Sequence, residues 1–145
     1  MNTIINIYPF SSEDYNNYLN NISKSVQKDD VVLANLNSEY YFNNGKLHDY
    51  RNLAFLKENN MAFKDYIYKY KIKFIIYPEE MDTINNESPK WDAFYGNLYY
   101  YKDMKNFLEN NCTLINEFVD KTYGTRIARY INEKDWTIKI YKVQY

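Results

Sequence analysis

Cysteine and histidine each occur once in this chain, as Cys112 and His48. A single thiol excludes an intrachain disulfide, and one Cys with one His cannot furnish a zinc site. Glycine and proline are almost as scarce, at 3 each in 145 residues. Gly45, Gly96 and Gly124 lie too far apart to build a glycine-rich phosphate loop. No Gly-x-Ser-x-Gly elbow presents a nucleophile, and no cofactor motif is visible. An excess of one charge is missing as well. Eighteen basic and 19 acidic residues are interspersed, with a formal net charge of -1, so the basic stripe that marks a nucleic-acid partner is absent. No apolar run approaches the roughly 20 residues of a membrane span, and Met1 to Phe10 lacks a basic leader followed by a long apolar stretch. The chain therefore reads as a soluble domain covering 1–145. At this length it can bury about 68–70% of its unfolded surface.

Tyrosine, by contrast, is abundant, at 18 residues. Ser11 suits a helix N-cap, with Glu13 and Asp14 in the first turn and Phe10 placed to staple onto Tyr15. Tyr15, Tyr18, Leu19, Ile22 and Val26 then recur at helical spacing. Val31–Leu36 and Ile72–Tyr77 are short continuous apolar runs, as expected of strands buried on both faces of a parallel or mixed sheet; Pro78 stops the second. Between them Ser38–Phe42 reads as a helical turn or a further strand, Asn43 to Lys46 as a turn, His48–Leu56 as ambiguous, and Ala62–Tyr70 as a helix. A strand–crossover–strand unit of this kind favours parallel pairing. Asp82–Tyr99 reads as an irregular excursion anchored by Trp91, Phe94 and Tyr95. A helix over Tyr101–Asn110 turns Met104, Phe107 and Leu108 inward. Thr113–Val119 reads as a strand with Leu114 and Phe118 on one face and Ile115 and Val119 on the other. Thr125–Ile131 fits a short helix or a strand, and Trp136–Val143 alternates cleanly as a strand. The expected fold is α/β: a mixed, partly parallel sheet of four to five strands with helices packed on its faces, the last strand antiparallel to a neighbour.

Two polar groups follow the apolar strands. Asn35, Asn37 and Glu39 trail the first, and Glu79, Glu80 and Asp82 trail the second. Ligands of open α/β sheets bind beyond the carboxyl ends of the strands, so these six residues are expected to share a polar crevice suited to sugar hydroxyls or a hard cation. The plainer reading of Pro78, Glu79 and Glu80 is the acidic first turn of a helix. His48, Asp49 and Arg51 form a secondary group. Neighbours in an extended chain face opposite ways, so His48 and Asp49 are not expected to act as a dyad, whereas Arg51 can clamp a carboxylate within the fold. Arg126 and Arg129, three apart, suit a solvated helix face or a contact with lipid phosphates. No metal-ligand set emerges.

Four stretches carry a resemblance: Val31-Val32-Leu33-Ala34-Asn35-Leu36-Asn37, His48-Asp49-Tyr50-Arg51-Asn52-Leu53, Ile75-Ile76-Tyr77-Pro78-Glu79-Glu80-Met81 and Ile138-Lys139-Ile140-Tyr141-Lys142-Val143. From about Ser11 onward the chain resembles the soluble C-terminal domain of bacterial membrane proteins related to family 39 glycosyltransferases, which are akin to the dolichyl-phosphate-mannose protein mannosyltransferases and the aminoarabinose transferases. The resemblance implies a parent with many membrane helices, followed by this domain on the outer side of the cytoplasmic membrane. The acidic catalytic residues of such transferases lie in an outer loop between early membrane helices, so none carries over to this chain. The implied partners are the membrane-embedded part of the same parent and a lipid-linked sugar or its acceptor. The alternative is a free-standing module that binds a carbohydrate or cell-wall polymer; an enzyme in its own right comes third.

Overall fold

Each strand of the central pair sends alternate side chains to opposite sides, and this splits the core in two. The computed structural model describes residues 12–120, 123–126 and 135–145. In it β1 (Val32–Ala34) and β3 (Phe74–Pro78) are parallel neighbours and are buried along their whole length. Leu33, Ile75 and Tyr77 face one cluster, while Val32, Ala34, Phe74 and Ile76 face the other. That is the two-residue period of a strand covered on both faces.

Three more strands complete an open mixed sheet in the order β2-β1-β3-β5-β4. β2 (Leu47–Asp49) runs parallel to β1, with Val32 opposite Leu47. β5 (Trp136–Val143) is antiparallel to β3, and β4 (Cys112–Asp120) is antiparallel to β5. The α/β fold expected from the pattern is the one observed. The helices cover both faces. Helix α1 (Ser12–Ser23) and the turn after it bring Tyr18, Ile22 and Val26 against Ile138 and Ile140. On the opposite face lie α2 (Phe55–Glu58), α3 (Phe63–Lys69), α4 (Glu80–Glu87) and α5 (Tyr101–Asn111). There Tyr66 and Ile67 of α3 and Met104, Phe107 and Leu108 of α5 pack with Leu33 and Ile75. Each aliphatic side chain buried this fully contributes about 1.5–3 kcal/mol relative to exposure. No described helix is long and apolar enough to cross a membrane.

Several expectations change. β2 takes Leu47 and the first two residues of the ambiguous stretch His48–Leu56, and its three residues are too few to display a period. Of the two readings of Ser38–Phe42 the turn is the one observed: a 3-10 turn at Leu36–Ser38 is followed by further turns. The excursion at 82–99 is largely helical, comprising most of α4 and a kinked 3-10 segment, Pro89–Leu98. That segment bends through left-handed backbone at Gly96, Asn97 and Leu98. In β4 a bulge falls between Leu114 and Asn116, so Leu114 opposes Tyr141 while Phe118 opposes Ile138. The extra residue puts Leu114 and Phe118 on opposite faces, because a bulge shifts the alternation by one. The proposed cap Ser11, the staple residue Phe10 and all of Thr125–Ile131 beyond Arg126 lie outside the described residues.

Candidate functional site

Because β2, β1 and β3 are parallel, their carboxyl ends meet on one edge of the sheet. They deliver Asp49, Asn35 and the Glu79–Glu80 pair there. Asn35 leaves β1 in extended conformation (φ -71°, ψ 143°) with its amide turned inward and buried. Its Nδ2 donates to the Tyr95 hydroxyl (3.1 Å) and to the Gly124 carbonyl (3.0 Å), and its Oδ1 accepts from Arg126 Nε (2.9 Å). Glu80, the first residue of α4, is 0% exposed. Its Oε2 accepts from the Tyr95 hydroxyl (2.6 Å) and from the backbone N–H of Arg126 (2.8 Å). Asp49 ends β2; one carboxylate oxygen accepts from Arg126 Nη2 and the other from Arg51 Nε (3.1 Å). The Arg126 guanidinium also lies over the Tyr95 ring, 5.6 Å from its centre.

Arg126 thus ties together all three parallel strand ends. Its backbone meets Glu80, its Nε meets Asn35 and its Nη2 meets Asp49. The short segment around it is pinned from below by Asn37, whose Nδ2 donates to the carbonyls of Tyr123 (2.7 Å) and Thr125 (3.4 Å). Tyr15 of α1 in turn donates to the Asn37 carbonyl (2.5 Å). Burial pushes the Tyr95 phenol far above its ordinary ionisation range. The adjacent Glu80 charge pushes it further, against the opposing pull of Asn35 and Arg126. Tyr95 therefore serves as a neutral donor to Glu80, not as a base. Buried carboxylates, an amide and a guanidinium satisfy one another here, as buried polar groups must. The result is a buried clasp at the strand-end edge, built from the chain's own residues.

The six expected crevice residues separate. Asn35, Asn37 and Glu80 join the clasp, and with them the secondary residues Asp49 and Arg51. Glu79 instead pairs with Lys139 of β5 (2.8 Å). Asp82 lies in the same first turn of α4 as Glu80 but has other partners. One of its oxygens accepts from the hydroxyls of Tyr77 (2.5 Å) and Tyr101 and from Lys105 Nζ (3.1 Å). Glu39 is exposed at the end of the 3-10 turn. The helix-start reading holds for Glu80, where α4 begins, with Glu79 as its N-cap; Pro78 is the last residue of β3. His48 faces α3, where its Nδ1 is 2.8 Å from the Tyr66 hydroxyl. It makes no dyad with Asp49, which points toward Arg126. Arg126 corrects the expectation of a solvated arginine, since only 11% of its side chain is exposed; Arg129 is outside the described residues. Among the described residues no cluster of three or more His, Cys, Asp or Glu is placed to hold a metal ion.

No family model matches the chain, and neither does any curated protein or solved structure.

Proposed function

We propose that this chain is a non-catalytic, extracytoplasmic accessory domain of a polytopic membrane glycosyltransferase that uses lipid-phosphate-linked sugars. Four sequence stretches support the transferase part of this reading through their resemblance to the soluble tails of family 39-related proteins. The observation that carries the non-catalytic part is the Arg126 clasp. The edge where an open α/β sheet usually receives its ligand is filled by Arg126, and Asp49, Glu80 and Asn35 are spent on holding it. The domain then acts as a rigid body docked against the membrane-embedded part of its parent, where the catalytic carboxylates reside.

Two measurements test the reading. The parent reading frame should encode several membrane helices ahead of residue 1, and a reporter fused after Tyr145 should map to the outer face of the cytoplasmic membrane. A frame without such helices would sink it. The purified chain should give no sugar transfer from a lipid-phosphate donor; turnover by the isolated chain would overturn the non-catalytic assignment.

A further inference from the structure

The run Tyr40-Tyr41-Phe42 follows the 3-10 turn after β1, and its three aromatic rings are treated very differently by the fold. Phe42 is buried in the core cluster. Tyr41 is partly buried, packs edge-to-face on Phe42 (5.0 Å) and donates its hydroxyl to the Val26 carbonyl (2.6 Å). Tyr40 is 89% exposed, the most exposed of the large hydrophobic side chains described. It is nevertheless braced, since its ring meets Tyr15 edge-to-face at 6.4 Å and 89°. Tyr15 is itself fixed by its hydrogen bond to Asn37. A braced aromatic face left in water offers a surface on which a ligand ring can stack.

Beside Tyr40 lies an open depression of about 440 Å³, within the range of about 300–1,000 Å³ usual for small-ligand sites. Leu36 and Leu47 supply apolar lining, and Glu39, Asn43 and Asn44 bring polar groups to it. Asn43 donates one of its two amide hydrogens to Asp29, which fixes its orientation and leaves the other hydrogen and the amide oxygen for a ligand. No hydrogen bond involves the Glu39 or Asn44 side chain among the described residues. An aromatic face suits the C–H face of a pyranose, and a carboxylate with amides suits vicinal hydroxyls, which both donate and accept. Glu39 is the one charged residue lining the depression among those described, and it disfavours acidic sugars.

We infer that this depression, between the 36–42 turn and the start of β2, is a subsite for a neutral oligosaccharide: Tyr40 stacks on one ring while Glu39, Asn43 and Asn44 bond its hydroxyls. The site is separate from the Arg126 clasp and does not depend on the transferase reading. The test is an amide-resolved NMR titration of the full chain with chitotriose, mannotriose and maltotriose, and with a trimer of galacturonic acid as the acidic counterpart. At least one neutral trimer should shift resonances confined to residues 36–47 with millimolar affinity, and the acidic trimer should not. Tyr40→Ala should weaken that binding by about tenfold, on the scale of one aromatic contact. Because Tyr40 lies at the surface, the variant should keep the wild-type spectrum elsewhere. Glu39→Gln should weaken the neutral trimer less and admit the acidic one. No response at 36–47 to any of the three neutral trimers would overturn the inference. So would a response that Tyr40→Ala leaves unchanged. Either failure would leave the accessory-domain reading intact, since that reading stands on the upstream membrane helices and the topology of the parent.

Discussion

The guanidinium of Arg126 is seated on the carboxylate of Asp49, 77 positions away in the sequence, with 11% and 9% of the two side chains exposed. An ion pair this shielded contributes little over an apolar substitute, but breaking one side of it strands a buried charge, at a cost of about 3–5 kcal/mol. Arg126→Ala should therefore lower the unfolding free energy by that order in urea denaturation. Arg126→Lys keeps the charge but loses the planar fork that reaches Asn35 and Asp49 together, and should recover only part of the loss. In a double-mutant cycle, Asp49→Ala and Arg126→Ala should couple by more than about 1 kcal/mol. Additive losses would mean that the two side chains do not act as a pair.

Adjacent glutamates offer a sharper contrast. Glu80 is fully buried and accepts from Tyr95 and from the Arg126 backbone. Glu79 makes a partly exposed pair with Lys139. Glu80→Gln replaces a charged acceptor of two buried hydrogen bonds by a neutral amide, which should cost about 1–3 kcal/mol. Glu79→Gln should cost about 0–1 kcal/mol, as for other solvent-exposed pairs. Urea midpoints of the two variants settle the matter, and equal losses would contradict the placement of these side chains.

The separation of Glu79 from Glu80 also marks how far the sequence can be read. The apolar runs at β1 and β3, the alternation of β5 and the helical stripes of α1, α3 and α5 are legible because burial imposes a period on them. The convergence of Asn35 and Glu80 follows from parallel pairing, since it needs only that the strand ends share an edge. Which way each carboxylate turns at the start of α4 is a matter of one residue's rotation about the helix, and no pattern in Pro78-Glu79-Glu80 encodes it. Arg126 was illegible for a different reason. Its partners come from the ends of β1 and β2 and from the start of α4, so only the folded topology brings them within reach. The bulge in β4 and the three-residue β2 were likewise invisible, one because it interrupts a period and the other because it is too short to have one.

Acid should act on this fold through His48. Burial pushes its imidazole below its ordinary ionisation range. It packs among aromatic groups, with the Tyr66 hydroxyl at Nδ1 and the Tyr66 and Tyr70 rings at 5.7 and 5.0 Å. As pH falls through about 6.5, the unfolded chain takes up the proton first. The unfolding free energy must then decrease with falling pH until the folded-state His48 also titrates, after which this contribution to the slope vanishes. Denaturation curves collected from about pH 7.5 to pH 5 should show the decline. His48→Gln should flatten the part that belongs to this residue. Parallel stability profiles for the two proteins would rule out His48 as the source.

Gly45 and Gly96 both sit in left-handed backbone, at φ 81° and 72°, yet the same substitution should affect them very differently. A Cβ at Gly45 would meet nothing within 4 Å. Gly45→Ala should therefore cost only the backbone strain of a left-handed L-residue, about 1–2 kcal/mol, and Gly45→Asn less, because asparagine tolerates this region. At Gly96 a Cβ would stand 2.8 Å from the Tyr50 carbonyl oxygen and 3.0 Å from the Ala54 nitrogen. Both are main-chain atoms of the 3-10 turn after β2, and they cannot rotate aside as a side chain would. Tyr50 is held from its other end, where its hydroxyl donates to the Ile76 carbonyl at 2.7 Å, so the turn cannot retreat without disturbing β3. Gly96→Ala should add an overpacking cost of about 1–3 kcal/mol to the same strain, and Gly96→Asn should give no relief, since the collision lies at Cβ. Thermal melts of the four variants measure the difference. If Gly96→Ala melts within a degree or so of Gly45→Ala, the close approach of the 89–98 segment to the β2 turn is not as described.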